Sequence, residues 1–400
     1  ERFDLAVFMA RIAFPYLAFM SLATLLAAIL NSLSRFAAAA AAPIFLNLCL
    51  VAALVLGGMN GTGEAAKQLT GTYLAIAVTV SGVIQLGWLY YWTRTMQFRL
   101  GLVRPRVTPG VREFGRLILP AVFGAGVYQI SRFIDLFFIS TLPDGSITFL
   151  AMADRLNQLP MGVIGIALGT AILPALSRMV AQDDADGAGR LQGNAFELAM
   201  LLTVPAAVAL FIAGPVMTSA FYVRGAFTLA DGLATGGVLA GLVVGLPAYV
   251  LVKVLVPNYF ARKDTRTPVL TAIASLAINI ALNLVLVPRM GIVGLALAGS
   301  IAAWANAALL YAILHRRGHY RMSALTAGRI ARIVVAAALM GAVLWWAIPH
   351  FGAAFVGAEL GRLVAVGAVV ALGGAVFFGS AFALGVVNRD TIGQLRRRQG

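Results

Sequence analysis

Long apolar runs, interrupted at intervals by charges, glycines and prolines, dominate this chain. Taken in windows of roughly 20 residues, the length a helix needs to cross bilayer hydrocarbon, they predict eleven spans. These fall at about 5–30, 37–57, 71–93, 113–140, 146–177, 194–213, 229–256, 268–287, 291–314, 328–348 and 360–387. The runs are continuously apolar rather than alternating in polarity, which argues against a membrane β-barrel. The pattern therefore predicts an all-α polytopic membrane protein with no room for a large water-soluble domain. Composition agrees: of 400 residues, 61% are hydrophobic and 11% are charged.

A formal net charge of +15 would suggest a nucleic-acid partner on a soluble protein. Here alternate connections take most of it. One set, from Arg35 and Arg94 through Arg262, Lys263 and Arg266 to Arg396, Arg397 and Arg398, holds twenty-one basic residues. By the positive-inside rule that set is cytoplasmic, and with it the C-terminus, so nucleic acid is not the expected partner. An odd number of spans then places the N-terminus outside, and nothing near Glu1 explains its export; the expectation is an odd number of further spans upstream. The single cysteine, Cys49, lies in an apolar run, where a small buried side chain is its expected role.

Three cations, Arg132, Arg155 and Lys253, fall inside or near the ends of apolar runs. Charges are costly there, so each is expected to face a water-filled cavity or a partner. Arg132 and Asp135 are neighbours on one helical face and suit a structural ion pair; alternatively Asp135 is a cation or proton site. In the next span Asp154, Arg155, Asn157 and Gln158 precede Pro160, which is expected to bend the helix. The guanidinium of Arg155 either contacts an anionic ligand, as its paired donors suit phosphate, or pairs with Asp154. Asn279 and Asn283 are one turn apart; they suit interhelical hydrogen bonding or, combined with Asp135, an oxygen-lined cation site.

Signals of an enzyme are weak. His315 and His319 sit beside Arg316, Arg317 and Arg321, which oppose metal binding, and no HExxH or CxxC pattern occurs. Asp183, Asp184 and Asp186 read as a solvated loop without calcium-loop spacing. The tail from Gln394 to Gly400 is basic and suits anionic lipid.

Spacings repeat along the chain. Pro15 to Asn47 matches Pro247 to Asn279, and Gln85 to Tyr90 matches Asn306 to Tyr311. Both members of each match run in the same membrane direction, so spans one to three correspond to spans seven to nine as parallel repeats. The implied domains are 1–112, a three-span remainder of a first lobe; 113–320, a six-span second lobe; and 321–400, two final helices with the basic tail.

Several stretches carry a family resemblance: "FPYLAFMSLATLLAAILNS" from Phe14, "YQISRFIDLFFISTLPDGSITFLAMADRLNQLPMGVIGIALGTAILPALS" from Tyr128 to Ser177, "VRGAFT" from Val223 and "ARKDTRTPV" from Ala261. Together they closely resemble the lipid II flippases known as MurJ or MviN. The resemblance implies a fourteen-helix bacterial inner-membrane transporter of the multidrug, oligosaccharidyl-lipid and polysaccharide exporter superfamily. Two six-helix lobes would surround a central cavity, with a groove for a polyprenyl tail on the last two helices, and the first three helices would be absent here.

It further implies an undecaprenyl-linked peptidoglycan precursor as substrate, moved by alternating access without an organic cofactor or resident metal. Membrane lipids and cell-wall synthesis proteins are the implied partners. The arginine of the family's "ADRL" block, Arg155 here, is implied to line the cavity and is the foremost expected substrate contact, with Arg132, Asp154 and Gln158 beside it. Members often carry Glu where this chain has Gln158. Asp135, Asn279 and Asn283 are the candidates for coupling to a monovalent cation, membrane potential being the other energy source. A cation-coupled multidrug exporter, a polyprenyl-phosphate transferase using the Asp183 to Asp186 loop, and a structural scaffold are the competing readings.

Overall fold

A computed structural model of the chain describes residues 2–33, 35–61, 63–95, 129–351 and 359–386, together with 108, 109, 112 and 115. All regular structure among the described residues is helical. The chain divides into two compact units, 1–108 and 109–400.

The first unit holds α1 (Arg2–Ala13), α2 (Pro15–Ser32), α3 (Phe36–Gly58) and α4 (Glu64–Thr95). Pro15 lacks an amide hydrogen and takes the first helical position of α2, where none is needed, so the first span is broken in two. The helices approach closely through small residues. Ala23, Ala38 and Ala42 are buried with Leu26, Leu30 and Leu89, and the Trp88 indole donates to the Ala38 carbonyl at 3.0 Å.

In the second unit the first continuous described helix is α5 (129–140). It continues with α6 (Ser146–Ala181), α7 (Ala185–Tyr222), α8 (Leu229–Val243), α9 (Leu246–Ala261), α10 (Arg266–Arg316) and α11 (Ala324–Ala347). A 3₁₀ turn (Ile348–Phe351) and α12 (Glu359–Ala383) complete it. The expected start of α5 at 113 lies largely outside the described residues. α6 stays helical through Pro160 and Pro174. α8 and α9 form one broken span with Pro247 in the first turn of α9, the same device as Pro15 in α2.

α10 has 51 residues, about 76 Å at 1.5 Å per residue and more than twice the thickness of bilayer hydrocarbon. It is two crossings. Gly291, at φ 57° and ψ −136°, reverses the chain. Ser275 donates to the Ala302 carbonyl at 2.7 Å, and Arg317 meets Asp264 at 2.7 Å where the arms end. With α1–α2 and α8–α9 each counted once, eight helices among the described residues are long and apolar enough to cross a membrane, and α10 as two crossings makes nine; the remaining two expected spans fall on α5 and α6.

The outward faces are apolar, as lipid contact requires: Phe133, Leu284 and Phe378 are exposed, as are Trp345 and Trp346 near the end of α11. α9 is the buried centre of the second unit, with Val250, Leu251, Val254 and Leu255 enclosed. Buried Gln192 ties α7 to it, donating to the Val254 carbonyl at 3.0 Å and accepting from Asn258 at 3.2 Å.

Two of the quoted sequence blocks prove to be junctions. In "VRGAFT" Gly225 takes a positive φ, and Thr228 and Asp231 cap α8 reciprocally. In "ARKDTRTPV" Lys263 takes a positive φ and Asp264 accepts from the Arg266 and Thr267 amides and the Thr267 hydroxyl, which opens α10. Burial alone would raise the Asp264 pKa, but the Thr267 hydrogen bonds and Arg317 outweigh it and hold it at about 2. His319, in the connection after α10, is pushed below its usual value by burial and by Arg262 and Arg317. The Asp183 to Asp186 loop serves the fold, since Asp184 accepts from the Gly187 amide at 2.7 Å and caps α7.

Candidate functional site

Polar residues spaced three or four apart on otherwise apolar helices form stripes on one face. In the second unit these stripes converge. Ser131, Arg132 and Asp135 on α5, Asp154 and Asn157 on α6, and Tyr249 and Lys253 on α9 line a cavity of about 490 Å³. Ser275 and Asn279 on the first arm of α10 and Asn306 on the second close it. Two cations and two carboxylates share this space inside a bundle that is apolar outside.

The expected pairing of Arg132 differs in the structure. Its Nη2 lies 3.8 Å from Asp154 Oδ2, across from α5 to α6, while it also acts electrostatically on Asp135. Asp154 has a second partner, the Gln158 amide donating at 2.6 Å. Arg155 therefore is not the partner of Asp154. Successive helical residues point about 100° apart, and Arg155 is exposed outside the cavity, near Tyr222, whose hydroxyl donates to the Met152 carbonyl at 3.2 Å. Gln158 is exposed as well and reaches the cavity only through Asp154.

Asp135, Asn279 and Asn283 are brought together from α5 and α10. Asn283 Nδ2 donates to Asn279 Oδ1 at 3.1 Å, and Asn283 also hydrogen-bonds the Asp135 carboxylate. Asn283 is fully buried and its Oδ1 has no partner among the described residues, as is true there of the side-chain oxygens of buried Asn157 and of Asn306. Buried oxygens without donors are uncommon in folded proteins, and ordered water is the usual partner where no side chain supplies one.

The sequence singles out Lys253, Asn157 and Asn306 separately and does not join them. Tyr249 escapes it altogether, although a spacing of one turn from Lys253 is a signal. Asn306, half-buried, also has a signal in its repeat partner Gln85, which is buried and whose amide nitrogen has no partner among the described residues.

A second hollow, of about 260 Å³, is apolar. It lies between α7, α11 and α12 and is lined by Pro205, Ala209, Met340, Leu344, Gly373 and Phe377 among others. Two glycines, Gly373 and Gly374, keep its α12 wall low.

Comparison with known proteins gives concordant results. The family described as lipid II flippase MurJ matches residues 1–365. The chain is similar to "Probable lipid II flippase MurJ" of Rhizobium meliloti (strain 1021), 40% identical over 347 residues, covering 87% of this chain and 64% of that protein. To the protein of the same name from Rhizobium tropici it is 38% identical over 400 residues, covering 99% of this chain and 74% of the relative. The chain thus spans about two thirds to three quarters of these relatives' lengths. Its fold is similar to a solved structure titled "Lipid II flippase MurJ, inward closed conformation", with a TM-score of 0.71, 21% identity, and coverage of 93% of this chain and 73% of the other.

Proposed function

The chain belongs to the lipid II flippase MurJ family, and on that premise we propose that it is a transporter, not an enzyme, that carries a lipid-linked peptidoglycan precursor across the bacterial inner membrane. The direction is from the cytoplasmic to the periplasmic leaflet, by alternating access, with the C-terminus cytoplasmic. The observation that carries this reading is the charged cavity on apolar helices, with an apolar groove elsewhere on the same unit.

The substrate has the same division. Its pyrophosphate and sugar-peptide head cannot enter hydrocarbon without losing hydration that hydrocarbon does not replace. Polar helix faces replace that hydration, while the polyprenyl tail keeps to lipid and to the groove between α7, α11 and α12. Arg155 is exposed on the α6 face outside that cavity and makes no hydrogen bond or ion pair among the described residues, so its paired donors would meet the pyrophosphate on that face rather than inside the cavity. Arg132, held beside Asp154, is the weaker contact. Arg155→Ala in the full-length protein is expected to abolish translocation in a flipping assay with a defined lipid-linked precursor. Full translocation by a stably inserted variant would refute the assignment.

Energy coupling belongs to the other cluster. The Asp135 carboxylate with Asn279 and Asn283 offers hard oxygen ligands, which suit a monovalent cation. Coupling through Asp135 predicts sodium- or pH-dependent transport that Asp135→Asn removes. Transport insensitive to both in the unaltered protein would assign the driving force to membrane potential instead.

A further inference from the structure

Two bare backbone positions bring Tyr249 to the cluster of Asp135, Asn279 and Asn283. The α8–α9 span breaks at Gly245, and Tyr249 is the fourth residue of α9. There the second arm of α10 closes in, Ser300 donating to the Gly241 carbonyl at 2.7 Å. A methyl group on Gly245 would lie 2.7 Å from the Ser300 hydroxyl and 2.8 Å from the Tyr249 ring, so the ring occupies space that a side chain at 245 would need. The hydroxyl end of the ring meets a second such position. A methyl carbon on Gly299 would lie 3.4 Å from the Tyr249 hydroxyl oxygen and 3.9 Å from Asn279 Nδ2. A phenol from α9 and an amide nitrogen from the first arm of α10 thus face one small space before the second arm, and all three residues line the cavity. The other end of the Asn279 amide is engaged: its Oδ1 accepts from Asn283 Nδ2 at 3.1 Å, and Asn283 hydrogen-bonds the Asp135 carboxylate.

We propose that Tyr249 is a positioning residue of this cluster: its hydroxyl oxygen accepts from Asn279 Nδ2, directly or through one water before Gly299, and so keeps Asn279 Oδ1 turned toward Asn283 and Asp135. The inference rests on the reading of that cluster as the cation-coupling site. An amide carries its donor and its acceptor on opposite ends of a rigid plane, so the partner of the nitrogen decides where the oxygen points. With a phenyl ring in place of the phenol, the Asn279 nitrogen loses its acceptor and the amide is free to turn that nitrogen toward the ion, which a cation rejects. A phenol also suits the place better than a carboxylate. It accepts the hydrogen bond without adding a negative charge that would compete with Asp135 for the cation.

Two measurements on the full-length protein test this. The first is sodium-free unfolding in mixed detergent of the unaltered protein, Tyr249→Phe, Asn279→Ala and the double variant. Because both single changes remove the same bond, the double variant's change in unfolding constant should be about fivefold smaller than the two single changes multiplied together, the scale of one neutral hydrogen bond. The second is the rise in thermal midpoint with sodium, exchanged for choline at constant ionic strength, which reads ion binding to the folded protein. Tyr249→Phe should need about tenfold more sodium for the same rise. Adding Gly299→Ser should recover most of that loss, because a serine there carries a hydroxyl into the same space, within reach of Asn279 Nδ2.

Single changes that simply multiply in the double variant would overturn the proposal, as would a sodium requirement that Tyr249→Phe leaves unaltered. A loss that Gly299→Ser fails to recover would overturn it too, since a general weakening of the fold predicts that result and an amide held by a hydroxyl does not. If sodium does not stabilise the unaltered protein, the sodium-coupling reading falls and with it the part of Tyr249 in ion binding, and the unfolding cycle still decides whether the hydroxyl orients Asn279.

Discussion

Whether Arg132 is a structural residue or a ligand contact turns on its bond to Asp154, and a double-mutant cycle measures that bond. The charged atoms are 3.8 Å apart. Coulomb attraction at that separation is about 1 kcal/mol in bulk water and about 4 kcal/mol at an effective dielectric constant of 20. Side-chain exposures of 51% for Arg132 and 23% for Asp154 place the pair nearer the solvated limit, so the expected coupling is about 1 kcal/mol. The assay is reversible unfolding in mixed detergent of the unaltered protein, Arg132→Ala, Asp154→Ala and the double variant. The double variant should lose about 1 kcal/mol less than the two single losses combined, and the deficit should shrink in about 1 M salt, where screening acts over roughly 3 Å. Losses additive to within about 0.3 kcal/mol would refute the pairing, as would a coupling indifferent to salt.

Two other substitutions probe the frame that holds the site. Gly291→Ala adds a methyl group that meets no neighbour, yet φ 57° with ψ −136° is a conformation for glycine alone, so an apparent loss of about 1–3 kcal/mol is expected in the same unfolding assay. No loss would mean that the α10 arms reverse by another geometry. Asp264→Ala removes a helix cap and an ion pair and should cost about 1–2 kcal/mol near neutral pH. Because the folded-state pKa of Asp264 is lowered from 3.8 to about 2, its contribution is complete above pH 4 and is lost as pH falls toward 2. A stability profile across that window should be flatter in the variant, and parallel profiles would refute the linkage.

The hydropathy pattern recovers the crossings because lipid-facing and core-facing positions are both apolar, so each span announces itself over its full width. The same uniformity hides what happens within and beyond a span. α7 begins at Ala185, well before the expected 194, because its first two turns are polar and depend on the Asp184 cap rather than on apolar residues. The breaks before Pro15 and Pro247 leave no hydropathy signal, since both halves of each span are apolar; only the matched spacings point to them. The spans around Gly291 are separable in sequence, but continuous helix up to the turn is not evident there, since Pro288 is an ordinary stop signal and in the structure stays inside the helix.

Residue spacing is a good guide to faces and a poor one to partners. It offers Asp135 to Arg132 because the two share a helix, whereas α6 packing beside α5 supplies Asp154. Within the "ADRLNQ" block the faces divide cleanly. Asp154 and Asn157, three apart, line the cavity, while Arg155 and Gln158, also three apart, lie outside it. The Gln158 amide links the faces by donating to Asp154 at 2.6 Å. A glutamate at 158 cannot donate that bond when ionised and would place like charge beside Asp154, with Arg155 as its natural partner three residues away. Glutamine reverses both effects. It stabilises the Asp154 carboxylate that holds Arg132, and it leaves Arg155 with no acidic neighbour on its own face, which in this chain strengthens the case for Arg155 as the cation that meets an anionic substrate.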